Sequence, residues 1–150
     1  MGQLTPLRRR ATLTLVMLLA GLAAPAPAAA SELVVIVSAR SPVTALRPDQ
    51  VAAIFLGQSV RFPDGAEAIP LDQRLGAPLR DEFYLRVTSK TPPLLKAWWS
   101  KMVFTGRGQP PAEVADSAAV RRRVADNPGL VGYIDRSALD ASVRPVLVVQ

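Results

Sequence analysis

The sequence predicts an α/β protein with a mixed sheet of about four to five strands flanked by helices. The run Glu32–Val37 (ELVVIV) is continuously apolar and rich in β-branched residues, which is typical of a strand buried on both faces. Several later segments open on proline and carry helical apolar spacing. Strand-like and helical segments follow in the order β, α, β, α, α, α, β, β, and this alternation favours a mixed sheet with helices on its faces.

The first helix is predicted over Arg47–Leu56, with Pro48 at its first position and Gly57 directly after it. Proline already has a helical φ and needs no N–H there, whereas glycine accepts the positive φ that ends many helices. A short apolar strand follows at Ala68–Leu71, and a polar turn leads into a second helix at Pro78–Val87.

A third helix is predicted from Pro92, with Thr91 as its cap. Adjacent helical residues face about 100° apart, so Trp98 and Trp99 cannot both lie centrally on one stripe. We expect Trp98 in the core and Trp99 half-exposed at its edge, the alternative being that Trp99 lines a partner surface. The predicted apolar stripe consists of Leu94, Leu95, Trp98 and Met102.

The last third of the chain reads as a helix and two strands. Ser117 is the expected cap of a helix over Ala118–Ala125, and strands are predicted at Leu130–Ile134 and Val143–Val149. Pro145 lacks an N–H for a central ladder, so the final strand is expected at an edge of the sheet.

Residues 1–30 have the pattern of a cleaved secretory signal peptide. Arg8–Arg10 supply a positive start, Ala11–Ala24 is an uncharged apolar run, and Ala28–Ala30 fits an A-x-A cleavage site. The run is shorter than the roughly 20 residues of a membrane span, although an uncleaved N-terminal anchor is the alternative. We therefore expect cleavage before Ser31, a periplasmic location and a single domain over residues 31–150.

Composition excludes several classes of function. Three of the 18 basic residues and none of the 12 acidic residues lie in residues 1–30, so the net charge falls from +6 to +3 after cleavage. A basic stripe with interleaved aromatic residues, typical of nucleic-acid binding, is missing from the sequence. The chain has no cysteine and no histidine, and its carboxylates are scattered. We predict no enzyme activity, no cofactor, no metal site and no nucleic-acid partner.

The stretch Ala66–Tyr84 (AEAIPLDQRLGAPLRDEFY) is the best candidate for a binding site. It reads as a strand, a turn and a helix that begins at Pro78, and unpaired N–H groups at a helix N-terminus suit an anion. Arg74 and Arg80 flank the turn and would add positive charge. The alternative is an ordinary strand-to-helix connection.

Six motifs occur in one order and cover most of residues 33–149. They are LxPDQVxxIFLGQ at 46–58, FPDG at 62–65, IPLDQ at 69–73, GAPLRDEF at 76–83, WWSKMVFTGRG at 98–108 and NPGLVGYI at 127–134. This pattern resembles the phosphate-binding-protein family, the type II periplasmic binding proteins that feed ABC importers. It is most similar to the short, single-lobe members, labelled phosphate transporter substrate-binding proteins. The resemblance implies one lobe of that fold, with an anion at the turn before a helix.

The phosphate turn departs from the family pattern. The larger proteins carry an arginine followed by Ser-Gly-Thr, whose hydroxyl and N–H groups bind the anion. Here Gly76 is kept, Ala77, Pro78 and Leu79 replace Ser-Gly-Thr, and Arg74 lies one place from the expected arginine. Two hydroxyls and one N–H are therefore missing, and each hydrogen bond to a charged ligand is worth about 1.5–3 kcal/mol.

Two functions stay open. The first is a periplasmic substrate-binding-like protein of ABC-type transport that binds phosphate or a similar oxyanion, with an ABC permease or another membrane protein as partner. The loop Ser38–Thr44 would join the site if the first two strands are parallel, because their carboxyl ends would then share one end of the sheet. The candidate ligand-binding residues are Arg74, Gly76, Ala77, Arg80, Ser38, Ser41 and Thr44.

The second function is an interaction or sensor module that has kept the fold and lost the ligand. Its candidate partner surface comprises Trp99, Phe62 and Arg107. In the first case a homodimer could supply the missing second wall of a cleft by symmetry.

Overall fold

The computed structural model describes Gly2 and residues 31–150. The predicted signal peptide, residues 1–30, lies outside the described residues except for Gly2. Among the helices of the described residues, none combines the length and the apolar character that a membrane crossing requires. A 3-10 turn, Arg136–Ala138, precedes the last strand. The other elements are β1 (Leu33–Ser38), α1 (Pro48–Phe55), β2 (Ile69–Gln73), α2 (Pro78–Thr88), α3 (Pro92–Phe104), β3 (Ala112–Val114), α4 (Ser117–Asp126), β4 (Leu130–Asp135) and β5 (Val143–Val149).

The five strands form one mixed sheet in the order β3-β2-β4-β1-β5. Strand β2 is parallel to both β3 and β4, whereas β1 is antiparallel to β4 and β5. The predicted fold class is therefore confirmed, and β3 is a short strand that the sequence did not reveal. Pro145 lies in the edge strand β5 as expected, opposite Ile36, where the register between β1 and β5 shifts.

Strand β1 is buried along its whole length, as its continuous apolar run predicts. Val35 and its odd-numbered neighbours belong to a cluster with residues of α1, α2 and α3. Val34 and Ile36 belong to a second cluster, which contains Val120 and Val124 of α4. The sheet therefore has three helices on one face and α4 on the other.

Aromatic rings fill the face that α1 and α2 cover. The Phe83 and Tyr133 rings are stacked with centroids 3.9 Å apart, and the Phe55 ring meets the Phe83 ring edge-on at 4.7 Å. Tyr84 lies beside Phe83 at 5.2 Å. Such pairs contribute about 0.5–1.5 kcal/mol beyond the area that they bury.

The apolar stripe predicted for α3 is confirmed for Leu95 and Met102 and is wrong for Leu94 and Trp98. Leu95, Trp99 and Met102 form its buried face, at the spacing i, i+4, i+7 of one helical side. Leu94 is 56% exposed, and Trp98 is half-buried with its Nε1 donating to the Leu56 carbonyl oxygen at 3.1 Å. Trp99, not Trp98, is therefore the core tryptophan.

The predicted helix caps also need correction. Asp116 caps α4, because its Oδ1 accepts a hydrogen bond from the Ala119 N–H at 2.8 Å. Ser117 is the first helical residue, and its Oγ instead accepts from the Asp135 N–H at 3.1 Å. Thr91 lies at the N-cap position of α3 but makes no side-chain capping bond.

Candidate functional site

The turn between β2 and α2 is tied to the short strand β3. The Arg74 N–H donates to the Val114 carbonyl at 3.0 Å, and the Leu75 N–H donates to Glu113 Oε2 at 3.2 Å. Gly76 has φ +84°, a left-handed conformation that glycine adopts without steric cost. The path of the turn is therefore fixed by one backbone and one side-chain acceptor of β3 and by one glycine.

Few N–H groups of this turn are free for an anion. The Arg80 and Asp81 N–H groups both donate to the Ala77 carbonyl, at 3.0 and 3.2 Å, and Pro78 has no N–H. The Ala77 N–H donates to the Arg74 carbonyl at 3.1 Å. Among the described residues, the Gly76 and Leu79 N–H groups have no acceptor. The turn thus offers two backbone donors.

Asp72 is the buried centre of a hydrogen-bond network at this turn. Its side chain is 1% exposed, and its Oδ2 accepts from the Tyr84 hydroxyl at 2.8 Å and from Arg80 Nε at 3.2 Å. Its Oδ1 accepts from the Tyr133 hydroxyl and from the Gln73 N–H. Burial raises the pKa of Asp72, and the hydrogen bonds from the two tyrosines and the charge of Arg80 oppose that rise.

Sequence reasoning missed this network because it assigned Asp72 to a polar turn. In the structure β2 extends to Gln73, and Asp72 is a buried strand residue. The available signal was the i, i+4 spacing of Arg80 and Tyr84, which places both side chains on one face of α2. Burial also raises the pKa of both Tyr84 and Tyr133, so both phenols stay protonated and donate.

Arg80 is buried and held at one side only. It is 5% exposed, its Nε binds Asp72, and its guanidinium carbon lies 5.2 Å from the centroid of the Tyr84 ring. Burial, the largest single cause, lowers the pKa of Arg80, but the attraction and hydrogen bond of Asp72 together with the two tyrosines raise it overall. Among the described residues, neither Nη nitrogen of Arg80 donates a hydrogen bond. The side chain is a fixed cation with donors to spare.

Arg80 and the β2–α2 turn border a groove of about 780 Å³, which we call the Arg80 groove. It runs between the turn, one side of α3 and the segment before β3. The indole Nε1 of Trp99 is buried in this region and has no hydrogen-bond partner among the described residues. The apolar lining residues are Leu75, Pro92, Pro93, Leu95, Trp99, Val103 and Pro110, and the polar ones are Arg80, Lys96, Ser100 and Glu113.

The structure does not bring the first loop to this site. Because β1 is antiparallel to β4 and β2 is parallel to β4, β1 and β2 run in opposite directions. The loop after β1 therefore lies at the other end of the sheet from the β2–α2 turn.

Ser38 is buried and its Oγ donates to the Ala125 carbonyl at 3.1 Å. Ser41 is also buried, beside a smaller cavity that Gly129 lines, and Thr44 is exposed. The predicted grouping of these three residues with Arg74 and Arg80 is wrong.

The four candidates of the turn itself do lie together. Arg74 and Gly76 are exposed, whereas Ala77 and Arg80 are buried. Only Arg80 among the four lines the groove.

The candidate partner surface is only partly available. Phe62 is 3% exposed and belongs to the core, so it fixes its loop and cannot form a contact surface. Trp99 is 7% exposed and contributes to the groove wall, and Arg107 is exposed. The large exposed apolar side chains that the sequence analysis missed near this region are Leu75 at 74% and Phe104 at 92%.

Solved structures of phosphate-binding proteins have the same fold. A Clostridium perfringens protein with bound phosphate, described as a phosphate ABC transporter substrate-binding protein, is 23% identical with a TM-score of 0.61. An ABC-type phosphate transport receptor from Vibrio cholerae is 18% identical with a TM-score of 0.59. PstS from Borrelia burgdorferi is 13% identical with a TM-score of 0.59. Each alignment covers 77% of this chain. The described residues share the fold of these proteins.

The chain spans less than half the length of the proteins that it matches, between 44% and 46%. The predicted resemblance is thereby confirmed for the fold, over a partial region of each neighbour. No family model matches the sequence, and no curated protein matches it.

Proposed function

We propose that this protein is a periplasmic substrate-binding-like protein associated with ABC-type transport, and that it binds phosphate or a similar oxyanion at the β2–α2 turn. The observation that carries the proposal is the state of Arg80. Its Nε is fixed by Asp72, it lines the groove, and its Nη nitrogens have no acceptor among the described residues. A preorganised guanidinium with free donors is a strong partner for an oxyanion.

The backbone around Arg80 supports the same ligand. The unpaired N–H groups of Gly76 and Leu79 belong to the turn that opens α2, where the helix dipole also favours negative charge. These donors partly replace the hydroxyl groups that the family turn would supply. Structural neighbours named for phosphate transport support the same class of ligand. Periplasmic location rests on the signal-like pattern of residues 1–30.

The test is calorimetric titration of residues 31–150 with phosphate and with sulfate, at low and at physiological salt. We expect Arg80→Lys to weaken phosphate binding by roughly 10–100-fold, because lysine keeps the charge beside Asp72 but loses the Nη donors. Arg123→Ala is the matched control, since Arg123 is an exposed arginine in the last turn of α4. Absence of binding heat for both anions at millimolar concentration would refute the proposal.

A second candidate function is a ligand-free interaction or sensor module for a periplasmic or membrane partner. The exposed side chains of Leu75, Val103 and Phe104 near the Arg80 groove favour it, because such apolar clusters often mark contact surfaces. A homodimer belongs instead to the first function, where a second copy would supply the missing wall of the cleft, and it would have to use an exposed surface of this kind. Sedimentation equilibrium over a wide concentration range tests it, and Phe104→Ser should weaken any self-association that these side chains mediate.

A further inference from the structure

We infer that the Arg80 groove takes an organic oxyanion, in which a phosphate, phosphonate or carboxylate head is joined to an apolar body. The inference rests on the proposed function, since Arg80 binds the anionic head in both. It goes further because it assigns the apolar body of the ligand to the remaining walls of the groove. An inorganic ion would meet only the Arg80 end of the groove and would leave the other walls in contact with water.

The size of the groove supports a ligand larger than an inorganic ion. Its volume of about 780 Å³ lies in the range of roughly 300–1,000 Å³ that pockets for organic ligands occupy. A bare phosphate ion fills a small part of such a space and has no apolar surface. The remaining volume suits an aromatic ring or a short alkyl chain.

The walls of the groove are the second argument. Leu75, Pro92, Val103 and Pro110 contribute apolar surface, and Leu75 and Val103 are 74% and 46% exposed. Apolar surface gains stability when it is removed from water, so a ligand with an apolar body would bind better than its head alone. Sites for organic ligands usually have mostly apolar walls with a few polar groups, as this groove has.

The charges at the groove are the third argument. Lys96 is exposed on the rim and forms no ion pair among the described residues, whereas Glu113 is engaged by the Leu75 N–H. Arg80 is 5% exposed as a whole residue and lines the groove, and its Nη nitrogens have no protein acceptor among the described residues. The groove therefore has a positive end that matches an anionic head.

Trp99 adds an independent observation. Its Nε1 is a buried donor without an acceptor in the described part of the chain, and the residue lies in the groove wall. Native proteins leave few buried donors unsatisfied, so Trp99 Nε1 needs an acceptor that the described residues do not supply. Trp99 also makes the groove observable by fluorescence.

The experiment compares inorganic phosphate, phenylphosphonate, benzoate and phenol as ligands of the Trp98→Phe variant, in which Trp99 is the only tryptophan. Calorimetry measures affinity, and Trp99 fluorescence reports occupancy of the groove. We expect phenylphosphonate to bind at least tenfold more tightly than inorganic phosphate and to change the Trp99 emission. Comparison with benzoate separates phosphonate heads from carboxylate heads, and weak binding of phenol would show that the anion is needed.

Two matched variants assign the effect to the groove. Val103→Ser should lower the ratio of phenylphosphonate affinity to phosphate affinity at least threefold, whereas Val148→Ser should leave it unchanged. Val148 is a fair control because it is 42% exposed, against 46% for Val103, and lies on the edge strand β5.

Each outcome decides one proposal. Equal affinities for phosphate and phenylphosphonate would overturn the inference and leave the proposed function intact. Phenol binding as tightly as phenylphosphonate, or no Trp99 response to any organic anion, would also overturn it. Absence of binding by every anion would overturn the proposed function itself.

Discussion

The Tyr84 hydroxyl donates to Oδ2 of Asp72 at 2.8 Å, and the same oxygen accepts from Arg80 Nε at 3.2 Å. Because Asp72 belongs to β2 while Tyr84 and Arg80 belong to α2, these two bonds hold the helix to the strand. They also fix the direction from which the guanidinium reaches the groove. Stability and the candidate anion site therefore depend on the same carboxylate.

Tyr84→Phe removes one of these bonds without changing the size of the ring. We expect a loss of about 1–3 kcal/mol in the free energy of unfolding, because a buried carboxylate then loses a donor. Urea unfolding measures the loss. Leu85→Ala is the control, since Leu85 is a 53% exposed neighbour on α2 and its truncation should cost much less. Equal losses for the two variants would contradict the role of the hydroxyl.

The buried Asp72 predicts a pH dependence of stability. Burial raises the pKa of Asp72 above its ordinary value of 3.8, so folding favours the protonated carboxyl. Its contribution is fully present below pH 3.8 and is lost as the pH rises through the folded-state pKa. The stability of the wild type relative to Asp72→Asn should therefore fall as the pH rises from 3.8 through that window. Urea unfolding of both proteins, from about pH 3 to pH 7, measures the difference.

Asp135 supplies a control of opposite sign. The hydrogen bond from the Ser137 side chain, with that from the Ser137 backbone, lowers the pKa of Asp135. The stability that it contributes is present above pH 3.8 and is lost as the pH falls through the lowered pKa. The wild type should therefore gain stability relative to Asp135→Asn as the pH rises. The same slope for both variants would show that the two carboxyls are not distinguished by their surroundings.

Gly132 is a close-packing position between β4 and α4. A Cβ atom there would lie 2.4 Å from Val120 Cγ1, a fully buried side chain. Gly132→Ala should therefore destabilise the protein by about 1–3 kcal/mol, as overpacking of a core does. Thermal unfolding measures the loss. Gly108→Ala is the matched change. A Cβ atom at position 108 would lie 3.3 Å from the flexible end of the Met102 side chain, so this substitution should lower the stability far less.

The two observed N-caps predict unequal effects of alanine. Asp116→Ala should cost about 0.5–2 kcal/mol, since the carboxylate accepts the Ala119 N–H at the start of α4. Thr91→Ala should cost little, because Thr91 makes no side-chain capping bond to α3. Denaturant unfolding of both variants tests the difference. A larger loss for Thr91→Ala would show that the cap of α3 forms in solution.

The elements were predictable from local signals, whereas their directions were not. Proline at the first helical position marked Pro48, Pro78 and Pro92 correctly, and Pro145 placed β5 at an edge. Nothing in the run of β1 distinguishes a parallel from an antiparallel neighbour, since both faces are buried in either case. The loop after β1 was therefore assigned to the wrong end of the sheet.

Of the candidate site, the local part could be predicted from the sequence and the long-range contacts could not. The turn and Arg80 follow from sequence, because a strand, a glycine and a helix-opening proline are local features. One partner of Asp72 is far from local, since Tyr133 lies 61 residues away along the chain. On α3, the apolar residues of the sequence are compatible with a buried face that contains Trp98 and equally with one that contains Trp99. The choice of Trp99 depends on its packing with Met102 and beside Gly57, which the sequence does not reveal.

The interior position of β1, between β4 and β5, has a consequence for the order in which the protein can fold. Leu33 at the start of β1 pairs with Asp135 and Val149, which lie 102 and 116 residues further along the chain (135 − 33 and 149 − 33). The sheet closes only when these distant segments meet, and such long-range pairing makes folding slow. Until those partners are in place, β1 is an unpaired apolar strand, and such strands are prone to aggregate.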